Sequence, residues 1–300
     1  MRQTERKIMT SPILRISTTE QIGRLYQLPG GGYPAQITSS QAIDGVLRGE
    51  LFPSITNCVG VINPSLEGYV AFMYGKALAK GQTQREAEKA HITYRDATAD
   101  RGTRVHKAIE DFIEKGFAGD RFNIIVESEM YKGIDSYREL QKHTNTYNLF
   151  KKSNDVIYFE AFLNFVRAYR PRSISQEATV YGETFSGRKY AGTTDFIAEI
   201  DGKVIIGDWK TTSKLKQSVG LQLAAVANAK QITTDFETLE EMPASDGCWG
   251  VKLNTDGSFE VYEAENHQQA WVNFQAARTI WDMVALEEKI ASGPILKRIK

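Results

Sequence analysis

Residues 189–210 read KYAGTTDFIAEIDGKVIIGDWK, two apolar runs on either side of Asp201-Gly202. An Asp-Gly pair so placed is the strongest short-range signal for a two-residue type I′ hairpin, because both central residues of that turn take positive φ. The turn sets a register. With Ile200 opposite Lys203, counting outward puts Glu199 against Val204, Ile197 against Ile206 and Asp195 against Asp208. Directly opposed side chains have Cβ atoms roughly 4.5–5.5 Å apart, and like charges so placed repel. Period two puts Lys210 on the face of Asp208, across from Thr193. Phe196, Ile197, Ile200, Val204, Ile205 and Ile206 supply apolar residues to both faces, the pattern of interior strands covered on both sides. Burial there makes unpaired carboxylates costly. Two readings stay open on these residues alone. One is an Asp–Asp–Lys ion cluster that holds the sheet together; the other is a hard-cation site for Mg²⁺ or Mn²⁺. A buried ion pair often stabilises no better than apolar residues of similar volume, so the first reading has no evident advantage.

Working outward, ISQEATVYGE (174–183) is a further β-rich run, and the three strands form a meander. Glu177 lies on the face of Asp195 if the turn at 186–188 is a three-residue loop, and on the opposite face if the loop has two. After Lys210 the pattern predicts a helix over about 219–230, strands at 247–252 and 259–262 joined by 254–257, and a helix with Trp271, Phe274, Ala277 and Trp281 on one side. Before the meander, a helix over 155–169 stops ahead of Pro171. Residues 116–154 are polar and aperiodic, an insertion or mobile loop. Val105, Ile109, Phe112 and Ile113 give a helix over about 83–114 its buried stripe. Ser65 is placed to cap a helix running toward Leu78, whose Tyr69, Phe72 and Tyr74 read as packing before they read as a base-stacking platform. Residues 1–50, rich in Gly, Pro, Ser and Thr, read as an extension of loop and short elements. A catalytic unit over 51–290 and a basic tail at 291–300 complete the organisation.

Composition excludes several classes. Lys plus Arg and Asp plus Glu number 37 each, so the net charge is zero and any nucleic-acid contact must come from local patches. Cys58 and Cys248 are too few for a disulfide framework, a zinc cluster or an iron–sulfur cluster. A phosphate-loop lookalike from Gly68 to Lys76 has the wrong spacing, and Ala77 stands where Ser or Thr would hold magnesium, so no nucleotide cofactor is expected. The first 21 residues carry charges and no apolar stretch, and nothing approaches a membrane span. The expectation is a soluble, non-secreted protein of the cytoplasm, or of a host cytoplasm, nucleus or mitochondrion if viral or organellar.

Asp195, with Asp208-Trp209-Lys210 thirteen residues later across a turn, resembles the D…(D/E)xK signature of the PD-(D/E)XK nucleases. Gly102-Thr103-Arg104-Val105-His106 looks like the helix motif of the RecB-type branch, Gly192-Thr193-Thr194-Asp195 like its central motif, and Gln222 matches its glutamine on the next helix. Pro53-Ser54-Ile55-Thr56, together with Asp208-Trp209-Lys210-Thr211, is similar to mitochondrial genome maintenance exonucleases and related viral exonucleases. The resemblance covers about residues 50–285. It implies an α/β restriction-endonuclease-like core, a mixed central sheet flanked by helices with helical N-terminal additions. It also implies metal ligation by Asp195 and Asp208 with His106, and Trp209, between Asp208 and Lys210, counts with them. Lys210 would activate water or stabilise charge, and Gln222 would steady the site or the scissile strand. Val226 stands where the family has a tyrosine. Glu110, one turn beyond His106, could orient it or simply form an exposed helical pair.

Arg101, Arg104, Lys107, Thr193, Thr211, Lys214 and Lys216, with the terminal Lys297-Arg298-Ile299-Lys300, are the candidate DNA contacts. The expected activity is metal-dependent exonucleolytic cleavage of DNA, on single strands or on free ends and flaps, in replication, recombination or repair. A structure-selective or double-strand endonuclease on the same core is the alternative enzyme. A DNA-binding recombination subunit with an inactive site is the non-enzymatic one.

Overall fold

The computed structural model describes residues 15–18, 22–62, 67–116 and 155–286. At its centre is the hairpin that the Asp-Gly pair dictates. Strands β6 (Lys189–Ile200) and β7 (Lys203–Lys210) pair antiparallel with Ile200 opposite Lys203 and Ile197 opposite Ile206. Asp201 and Gly202 take φ of 50° and 75°, as a type I′ turn requires. On the other side of β6 runs β5 (Arg172–Glu183), also antiparallel. Their turn closes where the Thr184 amide donates to the Arg188 carbonyl, leaving Phe185, Ser186 and Gly187 as a three-residue loop with Gly187 at φ 78°. The loop sits one residue earlier than 186–188, which preserves parity and brings Glu177 to the face of Asp195.

The meander forms the middle of a seven-stranded mixed sheet, ordered β11-β10-β7-β6-β5-β8-β9. The outer members are β8 (Gln231–Thr233), β9 (Glu240–Glu241), β10 (Gly247–Leu253) and β11 (Phe259–Glu263). Only the β7–β10 pair is parallel, and the helix Ser218–Ala227 lies in the crossover between them, the connection a parallel pair needs.

Apolar residues on both faces of β6 and β7 mean two cores. On one face Ile197 and Ile206 pack with Leu223 and Ala224 of the crossover helix and with Trp271, Phe274 and Trp281 of His267–Ala285. On the other, Phe196, Ile205 and Trp209 pack with Val105, Ile109 and Phe112 of the helix Gln84–Gly116 and with Phe159, Phe162 and Phe165 of the helix Val156–Tyr169. In chain order the helices are α1 (Ser39–Leu47), α2 (Ile55–Gly60), α3 (Glu67–Ala79), α4 (Gln84–Gly116), α5 (Val156–Tyr169), α6 (Ser218–Ala227) and α7 (His267–Ala285). Thirty-three residues make α4 about 50 Å long at 1.5 Å per residue. Thr83 and Glu86 close its start as a capping box.

Among the described residues before α2, the short elements are organised. Strands β1 (Arg15–Thr18), β2 (Leu25–Tyr26), β3 (Gln36–Ile37) and β4 (Phe52–Pro53) form a second sheet, ordered β3-β1-β2-β4. Ile16, Leu25, Ile37 and Leu51 join the same core as Ile197 and Ile206, and Ser54 bridges to Ala191 of β6. Ser65, the insertion expected beyond Gly116 and the basic tail lie outside the described residues. Tyr69 and Phe72 of α3 are exposed, contrary to the packing reading; α3 contacts mainly α4, so one side of it stays in solvent. Among the described residues no helix is long and apolar enough to cross a membrane.

Candidate active site

The β6–β7 ladder stops at Phe196–Gly207. The direct opposition expected for Asp195 with Asp208, and for Thr193 with Lys210, is therefore not formed. The cause is a side chain acting on backbone: the Trp209 amide donates to Asp195 Oδ2 at 2.7 Å instead of to a β6 carbonyl. Beyond that point β7 pairs with β10 as far as Lys210–Lys252. The splay relieves the head-on approach of two carboxylates and keeps both in one cleft. The Lys210 ammonium lies against Asp208 Oδ2, but without hydrogen-bond alignment, so this buried oxygen has no hydrogen-bond partner.

Glu177 has φ 45°, and the β5–β6 ladder passes from Gln176–Phe196 to Ala178–Thr194 without it. A left-handed conformation away from glycine costs on the order of 1–3 kcal/mol and persists only where its surroundings impose it. The Glu177 carboxylate ends 3.8 Å from His106 Nδ1, and Asp195 Oδ1 is 3.5 Å from the same nitrogen. His106 comes from α4, which packs on α5 through edge-on contacts of Phe112 with Phe159 and Phe162. Its Nε2 is 3.0 Å from the Trp209 carbonyl. A carbonyl only accepts, so Nε2 carries the proton and Nδ1 faces the acids, the kind of outer contact that fixes a metal-binding imidazole. Trp209 thus reaches the cluster through its carbonyl, in a position that orients His106. Its indole is buried, stacked on Phe196 at 4.4 Å.

The electrostatics follow from this crowding. Burial disfavours charge on His106, but Asp195, Glu177 and Asp208 outweigh it and lift its pKa well above that of a free imidazole. Burial likewise opposes ionisation of Asp195, yet His106, Lys210 and the Trp209 amide bring it down to about 2. Asp208 goes the other way: burial, reinforced by Asp195, raises it to about 6 despite Lys210. Lys210 is held as an ammonium, burial notwithstanding, by Asp208 and Asp195.

Ligand atoms of His106, Glu177 and Asp195 lie within 4.8 Å of one another. Together with the Asp208 carboxylate, which shares their cleft and pairs with Lys210, they fit a divalent cation, since carboxylate oxygens with one imidazole suit Mg²⁺ or Mn²⁺.

The cleft holding this cluster has a volume of about 430 Å³, and Gln222 and Val226 of α6 line it together with Thr103, Lys107 and Glu110 of α4. Glu110 pairs with Lys107 at 2.9 Å, not with His106. Several expected DNA contacts are engaged within the protein. Arg104 forms an ion pair with Asp155, which is nearly buried. Arg101 donates to the Thr211 carbonyl at 3.3 Å and lies over the Tyr158 ring, and Thr211 itself is buried. The Thr193 hydroxyl accepts from Arg15 at 2.7 Å and meets Tyr26 Oη at 3.2 Å. Lys214 and Lys216 are exposed on the loop after β7, while 297–300 fall outside the described residues. Arg15, Arg24 and Tyr26 of the N-terminal sheet also line the cleft. Strands of two to four residues carry no readable period, so the sequence offered no signal for them.

A mixed sheet between helical layers, with an acid on each of two neighbouring strands and a lysine two residues past the second, defines a metal-dependent nuclease. The chain belongs to the PD-(D/E)XK nuclease superfamily, whose model matches residues 72–294. Divalent metals and a nucleic-acid substrate come with that family. No protein of curated function matches the chain in sequence. Fifteen solved chains do match; one, the crystal structure of SSO0001, is 16% identical over 48% of this chain and 68% of its own, with a TM-score of 0.26.

Proposed function

We propose that the protein is a metal-dependent DNA exonuclease of the RecB-type branch, similar to mitochondrial genome maintenance exonucleases and related viral exonucleases. It acts on single-stranded DNA or on free ends and flaps, in replication, recombination or repair. The observation that supports this most is convergence: His106, Asp195, Lys210 and Gln222, far apart in sequence, line one cleft together with Glu177 and Asp208.

Asp195, Asp208, Glu177 and His106 would hold Mg²⁺ or Mn²⁺. When bound, the metal lowers the pKa of water and stabilises charge on the leaving oxygen. His106, whose pKa is raised by the neighbouring acids, would have to be neutral to serve as a ligand, while Asp195 is held ionised. Lys210 stabilises the negative charge that develops around phosphorus. Gln222 positions the scissile strand from α6.

The test uses end-labelled linear and circular single-stranded DNA with Mg²⁺, Mn²⁺ or EDTA, against wild type and Asp208→Ala. Metal-dependent loss of linear strands alone, abolished in the variant, is the expected result. Nicked circles would replace this reading with an endonuclease. Failure to cleave single-stranded, duplex or flapped DNA while still binding it would favour an inactive recombination subunit.

A further inference from the structure

The catalytic cations of the cleft leave no positive charge over for a substrate. Glu177, Asp195 and Asp208 face the cleft, and one divalent ion with Lys210 only neutralises the three carboxylates. Lys107 is already paired with Glu110. A polyanion entering such a site needs further positive charge, since phosphate neutralisation dominates nucleic-acid affinity.

Arg15 and Arg24 meet that need from the N-terminal sheet. Both are exposed and line the cleft, and neither has a carboxylate partner among the described residues. Arg15 is anchored to the Thr193 hydroxyl at 2.7 Å. Thr193 precedes Asp195 by two residues and so shares its face of β6. Tyr26, buried at 1% exposure, meets the same hydroxyl. Arg24 stands two residues before Tyr26. Its carbonyl accepts from the Ser54 amide at 3.1 Å and from Asn57 Nδ2 at 2.9 Å. The backbone of Arg24 is thereby fixed and its guanidinium left free. Two guanidinium groups with spare donors on a rigid wall match a phosphate better than flexible lysines would.

We propose that Arg15 and Arg24 form a phosphate-binding subsite of the nuclease cleft. The group it takes is a phosphate of the nucleic-acid substrate, either a terminal monoester or an internal diester. Strands β1 and β2 are then a wall of the active site and not an appendage. The proposal rests on the family's nucleic-acid substrate and is independent of whether cleavage starts from ends.

The experiment measures binding of labelled oligodeoxynucleotides across a salt series in the Asp208→Asn background, with Arg15→Ala, Arg15→Lys and Arg24→Ala added singly. Each alanine variant should weaken binding about tenfold and lower the slope of log affinity against log salt by about 0.7, the loss of one single-strand phosphate contact. Arg15→Lys should keep the slope. An effect confined to end-phosphorylated strands assigns the terminal monoester, and an equal effect on circular and dephosphorylated strands assigns the internal diester. An unchanged slope in both alanine variants overturns the subsite. So does a loss in Arg15→Lys equal to that in Arg15→Ala and matched by a lower melting temperature, which would make Arg15 a structural tether. Exonuclease assays that find nicked circles leave this measurement intact.

Discussion

Replacing Asp208 with asparagine separates a structural ion pair from a metal site. In the metal-free protein the Asp208 pKa is about 6 against an ordinary value of 3.8. The folded state binds the proton more tightly than the unfolded chain, so stability is fully present below about pH 4 and is lost as pH rises through 6. A shift of about two units at 1.36 kcal/mol each costs about 3 kcal/mol at pH 8. At pH 5, where the folded-state carboxyl is still mostly protonated, the cost is about half as large. Asparagine removes the penalty but leaves Lys210 with one carboxylate fewer, so the net gain at pH 8 is about 1–3 kcal/mol. For a chain of this size that is about 2–6 °C in Tm. Thermal melts in EDTA at pH 5 and pH 8 read it directly. The variant should melt above wild type at pH 8, with a smaller margin at pH 5. Saturating Mg²⁺ or Mn²⁺ should raise wild type, by about 2.7 kcal/mol at a hundred times Kd, and leave the variant nearly unmoved. Breaking a buried pair that exists for stability costs about 3–5 kcal/mol. A variant that melts well below wild type in EDTA at pH 8 would therefore refute the reasoning, because the predicted signs are opposite.

The pKa of His106 is raised, so its contribution to metal-free stability is present below about pH 6.5 and lost as pH rises through the elevated value. Ligation displaces that proton, so metal affinity measured by calorimetry should climb with pH above neutrality by up to about tenfold per unit; a flat profile from pH 6.5 to 9 counts against Nδ1 as a ligand. Lys210→Ala should retain metal binding while single-turnover cleavage falls about 10²–10³-fold, and loss of metal binding instead would assign the lysine to the fold. Arg104→Ala breaks the ion pair with Asp155 and should cost about 3–5 kcal/mol in denaturant melts. Its DNA-binding salt slope should stay at the wild-type value, whereas a reduced slope would restore Arg104 as a phosphate contact.

How far the sequence could be read depended on the range of the forces involved. Asp201-Gly202 is a local signal, and from it the pairing of Ile197 with Ile206 follows by counting. Counting failed two residues further on, because no period anticipates that Asp195 accepts the Trp209 amide and parts the strands. Glu177 was decidable only up to loop parity, which Gly187 settles by adopting φ 78°. Arg104 read as a phosphate contact because its partner, Asp155, is 51 residues away and chosen by the packing of α5 on α4. The N-terminal sheet was opaque for a different reason: β2, β3 and β4 have two residues each, less than one full alternation.

Three departures from local rules lie together in the cleft. Asp195 draws a backbone amide away from the ladder, Asp208 keeps a buried oxygen without a hydrogen bond, and Glu177 holds a left-handed φ inside a twelve-residue strand. The flanking cores, by contrast, follow the alternation that the sequence dictates. Random imperfection would scatter such departures over the sheet. Two of them meet at His106 and the third faces the same cleft, which argues for a common cause, and a shared cation supplies one, because it compensates repulsion and desolvation at once. The strain at Glu177 then makes a further demand. If the fold holds that conformation to present the carboxylate to a cation, Glu177→Gly should stabilise the metal-free fold by relieving the left-handed φ, while it weakens metal binding. Loss of stability in EDTA without loss of metal affinity would place the cause in the sheet instead.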